Sequence, residues 1–452
     1  MISKVTPTLK RVKGQNPEVQ YMNRYLDMTN EELQLEYNAV KAQFDDYCKR
    51  GLKLDMSRGK PSPEQLTLSM PILEVLYGER NLLAEGGVDI RNYGQLDGIP
   101  EVKRIFSKML DVEPKNILVG ANSSLNMMFD CISWAMALGI MGHTPWAKLD
   151  NVKFLCPVPG YDRHFAITEL FGIEMIPVPM SLTGTSVGPD MEIVRQWVEN
   201  DPSVKGIWCV PKYSNPTGIT FTDDIVREFA MLKPAAPDFR IFWDNAYSVH
   251  DLTESGDILL NIFDVCKEYG TEDLVYEFTS SSKISFSGAG VAVIAASDAN
   301  MADLKSKRTI QTIGPNKVVQ LMHSRFFKDF DGIKAHMQKH RAILAPKFNT
   351  VFDALDKEIA PLNIASYSRP KGGYFICFDT MPGCAKRVGA LCEEAGVTLT
   401  KIGTTFPYGK DPLDTNIRIA PSFPSIEELS LAMEIFCVAV KLATVEKLMH
   451  KI

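Results

Sequence analysis

The sequence is poor in whatever would tie it to a membrane, to nucleic acid or to an oxidising compartment. No stretch reaches the roughly 18 consecutive apolar residues of a membrane-spanning helix, and the polar N-terminus has no apolar core of signal-peptide length. Formal charge is −6, and no basic run exceeds fragments such as residues 305–308, so a nucleic-acid footprint is missing. The nine cysteines, an odd number, stand singly in apolar settings such as Cys131, Cys156, Cys209, Cys377 and Cys437, without a Cys-x-x-Cys pair. They read as small buried hydrophobes in a reducing compartment. A cytoplasmic protein is expected, with neither nucleic acid nor membrane as partner. Histidine is scarce too: of seven, only His336 and His340 lie four apart, with no acidic or cysteine partner, so no metal site is read. Internal repeats and low-complexity tracts are absent.

What is present is an ordinary globular composition, 45% hydrophobic and 23% charged, over 452 residues. That length exceeds the roughly 250 to 300 residues that one core supports, so a large domain and a smaller one are expected. Residues 1 to 28 carry no clear periodicity. Thr29-Asn30-Glu31-Glu32 is a capping box opening a helix to about Arg50, with Leu33, Tyr37, Val40, Phe44 and Tyr47 at helical spacing and Gly51 as its C-cap. From Met56 a Gly- and Pro-punctuated loop follows.

From residue 116 short apolar strands alternate with helices: 116–119, 153–157, 174–178, 206–211, 240–244 and 274–278, then 291–296. Alternation of this kind implies a parallel sheet with helices on both faces and sites at the carboxyl ends of the strands. After about residue 315 the pattern becomes one long helix, 318–356, bent near Pro346. A smaller mixed unit follows, with strands at 365–368, 373–378, 397–402 and 416–420 and helices at 384–395 and 426–442.

One stretch organises the rest. Between two strands, residues 278–290 place a single lysine, Lys283, in a hydroxyl-rich loop that ends in glycines. Desolvation would depress its pKa and favour the neutral amine that a Schiff base needs, although the loop alone reads equally as a solvated turn. Its neighbours decide. Strand 206–211 leads to Asn215, strand 240–244 ends at Asp244 with Tyr247 after it, and strand 116–119 runs into Gly120-Ala121-Asn122-Ser123-Ser124 and a helix N-terminus, a ready anion site. Arg418 lies in the smaller unit. A lysine for an aldehyde, an acid for a pyridinium nitrogen, donors for a phenolate oxygen and a phosphate cradle together fit pyridoxal phosphate. The Gly-x-Gly-x-x-Gly of a dinucleotide site and the Walker-type phosphate loop are absent.

Asn215-Pro216-Thr217-Gly218, Asp244-Asn245-Ala246-Tyr247, Ser282-Lys283 and Asn416-Ile417-Arg418-Ile419 resemble, in order and spacing, the fold type I pyridoxal-phosphate aminotransferases, and most closely the divergent aspartate aminotransferase subgroup. The likeness extends from about Asp55 to Leu442. It implies an α/β fold: a large cofactor-binding domain, 56–325, with a mostly parallel seven-stranded sheet flanked by helices, and a smaller α/β domain, 326–452, against which an N-terminal arm and helix, 1–55, packs. It further implies Lys283 as Schiff-base lysine and proton shuttle, Asp244 as pyridinium partner, and Asn215 and Tyr247 as donors to the ring oxygen. Ala121, Asn122, Ser123 and Ser280 fall to the phosphate side, Ser282 to the cofactor, and Gly59, Asn215 and Arg418 to the substrate. Tyr93 resembles the tyrosine that enters the site of a neighbouring subunit, so a homodimer with shared active sites is expected.

Two departures stand out. Most members of that family carry an arginine eight residues after the lysine, where this chain has Val291, and Arg308 or Lys305 is left as a substitute. The ring-stacking position is not matched directly, and Tyr161 is the candidate. The implied reaction transfers the amino group of aspartate or glutamate to 2-oxoglutarate or oxaloacetate. Another amino-acid specificity, a pyridoxal-phosphate lyase and a non-enzymatic sensor remain as alternatives. A distal carboxylate needs a second cation, for which Arg58, Lys60, Arg163, Arg308 and Arg369 are available.

Overall fold

The computed structural model describes residues 25–77 and 82–450, so the first part of the segment read as an N-terminal arm lies outside the described residues. Helix α1 (Asn30–Lys49) begins with the expected capping box: Thr29 Oγ1 accepts the Glu32 amide, and Glu32 Oε2 accepts the Thr29 amide at 2.8 Å. It ends on Arg50, and Gly51 takes the left-handed position that follows (φ 61°). Leu33, Val40, Phe44 and Tyr47 form its buried stripe, which packs on the C-terminal helix; Tyr47 Oη donates to Glu434 there at 3.1 Å.

The large sheet is built from β1 (Ile117–Val119), β2 (Lys153–Val158), β3 (Glu174–Ser181), β4 (Gly188–Pro189), β5 (Val204–Cys209), β6 (Arg240–Asp244), β7 (Val275–Ser280) and β8 (Ala292–Ala296). Their spatial order is β1-β8-β7-β6-β5-β2-β3-β4. Strands β7, β6, β5, β2 and β3 pair in parallel, while β8 runs antiparallel to both β7 and β1. The two-residue β4 adds an antiparallel edge to the seven strands that the resemblance implies. Alternate residues serve opposite faces, and both faces are covered. Val119, Leu155, Ile207, Ile241 and Val293 join one core, and Leu118, Phe154, Trp208, Phe242 and Ile294 join the other. That double burial is why these strands read as continuous apolar runs.

Several boundaries move. The expected strand 206–211 is displaced to Val204–Cys209, which leaves residues 210–215 to form the loop carrying Asn215. Strand 274–278 extends to Ser280, bringing Lys283 three residues past its end. The helices that feed the site are α2 (Ser124–Leu138) and α3 (Asp162–Leu170); α4 (Asp298–Gln311) follows β8. The single long helix expected over 318–356 is two, α5 (Lys317–Phe327) and α6 (Phe330–Glu358). The break falls at Lys328, which has φ 66°, and Asp329, whose side chain caps the Gly332 amide at 2.9 Å. Pro346 stays inside α6.

Strands β9 (Ala365–Tyr367), β10 (Ile376–Thr380) and β11 (Asn416–Ile419) form a small antiparallel sheet. The expected strand 373–378 thus begins later, and 397–402 shrinks to Val397–Thr398, paired in parallel with Leu54–Asp55. The last helix, α7 (Ile426–Leu448), packs on α6, α1 and the small sheet. Helix α6 serves both cores: Ile333 and Met337 belong to the large one, Leu344, Phe348, Val351 and Leu355 to the small one. Among the described residues no helix is long and apolar enough to cross a membrane, and no group of His, Cys, Asp or Glu is arranged to hold a metal ion.

Candidate active site

The carboxyl ends of β1, β2, β5, β6 and β7 meet β11 of the small unit around a cavity of about 320 Å³. Of the residues singled out from the sequence, it brings together Gly59, Ser123, Tyr161, Asn215, Asp244, Tyr247, Ser280, Ser282, Lys283 and Arg418. Ser123 is there because it caps α2, its hydroxyl accepting from the Asn126 amide, so the positive end of a long helix opens beside Ser280 and Ser282. Ser280 Oγ donates to Ser282 Oγ (3.1 Å), which donates to the Asn122 carbonyl (2.7 Å).

Lys283 opens into the cavity. Burial pulls its amine below the ordinary lysine value, and the Asp244 carboxylate opposes that shift with a smaller effect. Its Nζ lies 4.8 Å from the centroid of the Tyr247 ring. Burial holds the Tyr247 phenol well above its usual pKa, so it remains an O–H donor. Asp244 is 3% exposed; its Oδ2 lies 3.1 Å from His164 Nε2, and its Oδ1 is buried without a partner. His164 in turn stacks on Trp208 with ring centroids 4.5 Å apart. Tyr161, at the N-cap of α3, packs edge-on to His164.

Arg418 is held on every side. Its Nη1 donates to Asn215 Oδ1 (3.1 Å) and Asp162 Oδ1 (3.2 Å), its Nε and Nη2 donate to Thr400 Oγ1, and its guanidinium lies over the Phe375 ring. Gly59 packs against that same ring, and a Cβ on it would come within 2.0 Å of Phe375 Cζ, so only glycine fits.

Other candidates fall elsewhere. Ala121 and Asn122 line a neighbouring cavity of about 470 Å³, though Asn122 touches the site through Ser282. Tyr93 is 82% exposed and does not line the cavity of its own chain. Val291 is buried in the core, Lys305 is bound to Asp97 at 2.8 Å, and Arg308 lies in the neighbouring cavity. Of the five distal cations, Arg58 and Arg163 line the site; Lys60 sits over Phe423, and Arg369 is bound to Asp356.

Sequence reasoning missed His164, Asp162, Thr400 and Phe375. His164 carried a weak signal, one helical turn after Tyr161. The other contacts join segments far apart in the chain, and nothing local marks them.

A family model described as aspartate amino-transferase matches residues 28–452 of the chain. The aspartate aminotransferase of Corynebacterium glutamicum is 45% identical over 434 residues, covering 94% of this chain and 99% of that protein. The crystal structure of an aspartate transaminase from the same species aligns with a TM-score of 0.90 at 45% identity, covering 94% of this chain and 99% of that one. An α-aminoadipate aminotransferase from Thermus thermophilus shares the fold, with a TM-score of 0.69 at 18% identity over 90% of this chain and 95% of that one.

Proposed function

The chain belongs to the aspartate amino-transferase family and is an aminotransferase, and from that premise we propose that it uses pyridoxal phosphate to move the amino group of aspartate or glutamate to 2-oxoglutarate or oxaloacetate. The cofactor's fit rests on the donor set around the cavity. Asp244 offers a buried, unpartnered carboxylate oxygen suited to a pyridinium nitrogen, Lys283 a burial-depressed amine, and Ser123, Ser280 and Ser282 hydroxyls at a helix N-terminus suited to a phosphate. When bound, the cofactor supplies an electron sink for the substrate Cα.

The chain's own residues do the rest. Lys283 Nζ, its pKa lowered by burial, would take the Cα proton and deliver it to the cofactor carbon. Asp244, held by His164, would present its carboxylate to the ring nitrogen. Tyr247 and Asn215 would supply donors to the ring oxygen, and Tyr161 would help hold the ring. Arg418 grips the substrate α-carboxylate with a planar fork that lysine does not reproduce; the carboxylate displaces Asp162 from Nη1, while Asn215 and Thr400 keep the guanidinium in place. Val210, Leu125 and Phe375 line the walls and exclude water.

The observation that carries the dicarboxylate reading is that Arg163 and Arg58 line the same cavity as Arg418. Arg58 is engaged with Asp55 at 3.2 Å, whereas Arg163 has no ion-pair partner among the described residues, so Arg163 is the favoured seat for the distal carboxylate. We also read a homodimer, supported by the exposure of Tyr77 and Tyr93 and of Ile310, and a cytoplasmic location, supported by nine unpaired cysteines of which most are buried. The division at residues 55 and 325 stays our reading; the large core runs past it into α6 through Ile333 and Met337.

Mixing the yellow, cofactor-loaded protein with single amino acids tests the substrate class. Aspartate and glutamate should convert its visible absorbance to the amine form of the cofactor, and Arg163→Met should raise KM for both at least about tenfold, the equivalent of one charge-assisted hydrogen bond. Conversion by aromatic or aliphatic amino acids alone overturns the dicarboxylate reading.

A further inference from the structure

The turn that carries Lys283 is held from behind by three buried imidazoles, His323 on α5 and His336 and His340 on α6. His323 Nδ1 lies 2.8 Å from the Val319 carbonyl oxygen. A carbonyl only accepts, so Nδ1 bears the proton and Nε2 is a lone pair. That lone pair takes the Ser285 hydroxyl at 2.7 Å and lies 3.1 Å from the Ser281 hydroxyl. Ser281 Oγ accepts the Val291 amide at 2.9 Å, and the Ser281 carbonyl accepts the amides of Ile284 and Ser285. The turn is therefore closed on two serines that share one ring nitrogen.

The polarity of the other two rings is opposite. His336 Nε2 lies 2.9 Å from the carbonyl oxygen of Ile284, the residue after Lys283, so this nitrogen must carry its proton. His340 receives the Gln65 side-chain amide at Nδ1, 2.9 Å away. That amide's orientation is fixed because Gln65 Oε1 accepts the Ser62 amide at 3.1 Å. His340 Nε2 lies 3.1 Å from His336 Nε2. His336 thus holds the backbone oxygen beside the reactive amine, with His340 and Gln65 behind it. Burial lowers the pKa of all three histidines, His323 and His340 to about 4, so each ring is neutral near pH 7 and keeps one donor and one acceptor.

We propose that His323, His336 and His340 are positioning residues for Lys283, their fixed donor and acceptor polarity clamping the turn Ser281 to Ser285 so that the amine is presented to the cavity. The proposal rests on Lys283 being the amine that bonds the cofactor. It also gives the pair His336 and His340 a role that metal binding does not. Beyond His340 the same helix continues into the core of the small unit, so one rigid element both clamps the lysine turn and packs the small unit.

Two double variants separate the clamp from mere packing. In His336→Gln with His340→Gln the side-chain amide reaches the Nε2 position; in His336→Asn with His340→Asn it falls one methylene short. Each is stripped of cofactor, and two rates are read: the appearance of visible absorbance when pyridoxal phosphate is added, and acetylation of Lys283 by limiting acetic anhydride, quantified by mass spectrometry. The Gln pair is expected to match wild type within about twofold and the Asn pair to be slower by about tenfold or more, as misplacement of a reacting group by an ångström requires. Ser285→Ala, which deletes only the hydroxyl on His323 Nε2, should slow both rates about threefold whether or not the Asn pair folds. Equal wild-type rates in both pairs, or an unchanged rate in Ser285→Ala, overturn the clamp. A wild-type protein whose Lys283 never bonds the cofactor overturns the function proposed above instead, and the acetylation rates still decide the clamp.

Discussion

Arg418 and Arg308 are buried to nearly the same depth, 8% and 5% exposed, yet the chain treats them differently. Arg418 donates to Asn215, Asp162 and Thr400 and lies over Phe375. Arg308 has an Nε without a partner, and Asp130 and Asp97 act on it only through space, so burial pulls its pKa below the ordinary arginine value. A buried charge lacking hydrogen-bonded partners costs several kcal/mol. The two positions therefore mark two degrees of completion. The half of the site around Lys283, Asp244 and Arg418 is assembled by this chain alone, while the side at Gly120 to Asn122 holds positive charge in reserve.

The largest test breaks the complete half. Asp244→Asn keeps the shape of the carboxylate but removes its charge, and should depress kcat by about 10²-fold or more, the scale seen when a preorganised electrostatic group is removed. Cofactor content, measured by absorbance, should stay near one per chain. Turnover near the wild-type rate would show that this carboxylate is not the functional one.

A second test reaches the layer beneath. Glu277 is buried, donates nothing, and accepts from Asn245 Nδ2 at 2.9 Å; burial raises its pKa from 4.5 to about 7. A carboxyl raised in the folded state contributes its stability fully below the unfolded pKa and loses it as pH rises through the folded one. Glu277→Gln removes that dependence, so its stability relative to wild type should climb between pH 5 and pH 8. The gain is limited to roughly 3 kcal/mol at about 1.4 kcal/mol per unit. Chemical denaturation at four pH values reads it, and parallel curves for the two proteins would count against it.

How far the site could be read from the sequence follows the same division. Asn215, Asp244, Tyr247 and Lys283 were legible because each follows an apolar strand at a short, fixed distance, and a parallel sheet gathers strand ends. The partners of Arg418 were not: Asp162 lies 256 residues away, and Thr400 lies two residues past the end of the short strand Val397–Thr398. The roles of His323, His336 and His340 were hidden for a related reason, since a histidine's proton is placed by what surrounds the ring. The break between α5 and α6 carries no proline; Pro346 stands inside α6. An Asp cap after a left-handed lysine ended the first helix instead. Local chemistry was readable; contacts assembled by the fold were not.

Arg418→Lys tests the grip itself. Lysine keeps the charge and loses the planar fork, and with it at least one charge-assisted hydrogen bond of about 1.5 to 3 kcal/mol. The specificity constant for both amino acid and 2-oxo acid should fall roughly ten- to hundredfold, with the folded protein's Tm little changed. An unchanged specificity constant would move the α-carboxylate site away from Arg418.

The smallest expected effect sharpens the comparison most. Arg308 shares its cavity with Asn122, whose carbonyl accepts from Ser282 at 2.7 Å, so only one turn of backbone separates the unpaired guanidinium from the hydroxyls assigned to the phosphate. Val291 stands where the resemblance implies an arginine, and it is buried. If Arg308 supplies the charge that Val291 cannot, Arg308→Met should have opposite effects on two measurements. The cofactor-free protein should gain about 1 kcal/mol, because an uncompensated buried charge has been replaced by an apolar group of similar size. The affinity for pyridoxal phosphate should fall about threefold, as expected for the loss of one unbonded charge at a distance. Arg418→Met, by contrast, should destabilise the cofactor-free protein, since it strips partners from Asn215, Asp162 and Thr400. Loss of stability in both variants would mean that Arg308 is already compensated within the chain, and the difference between the two arginines would reduce to geometry.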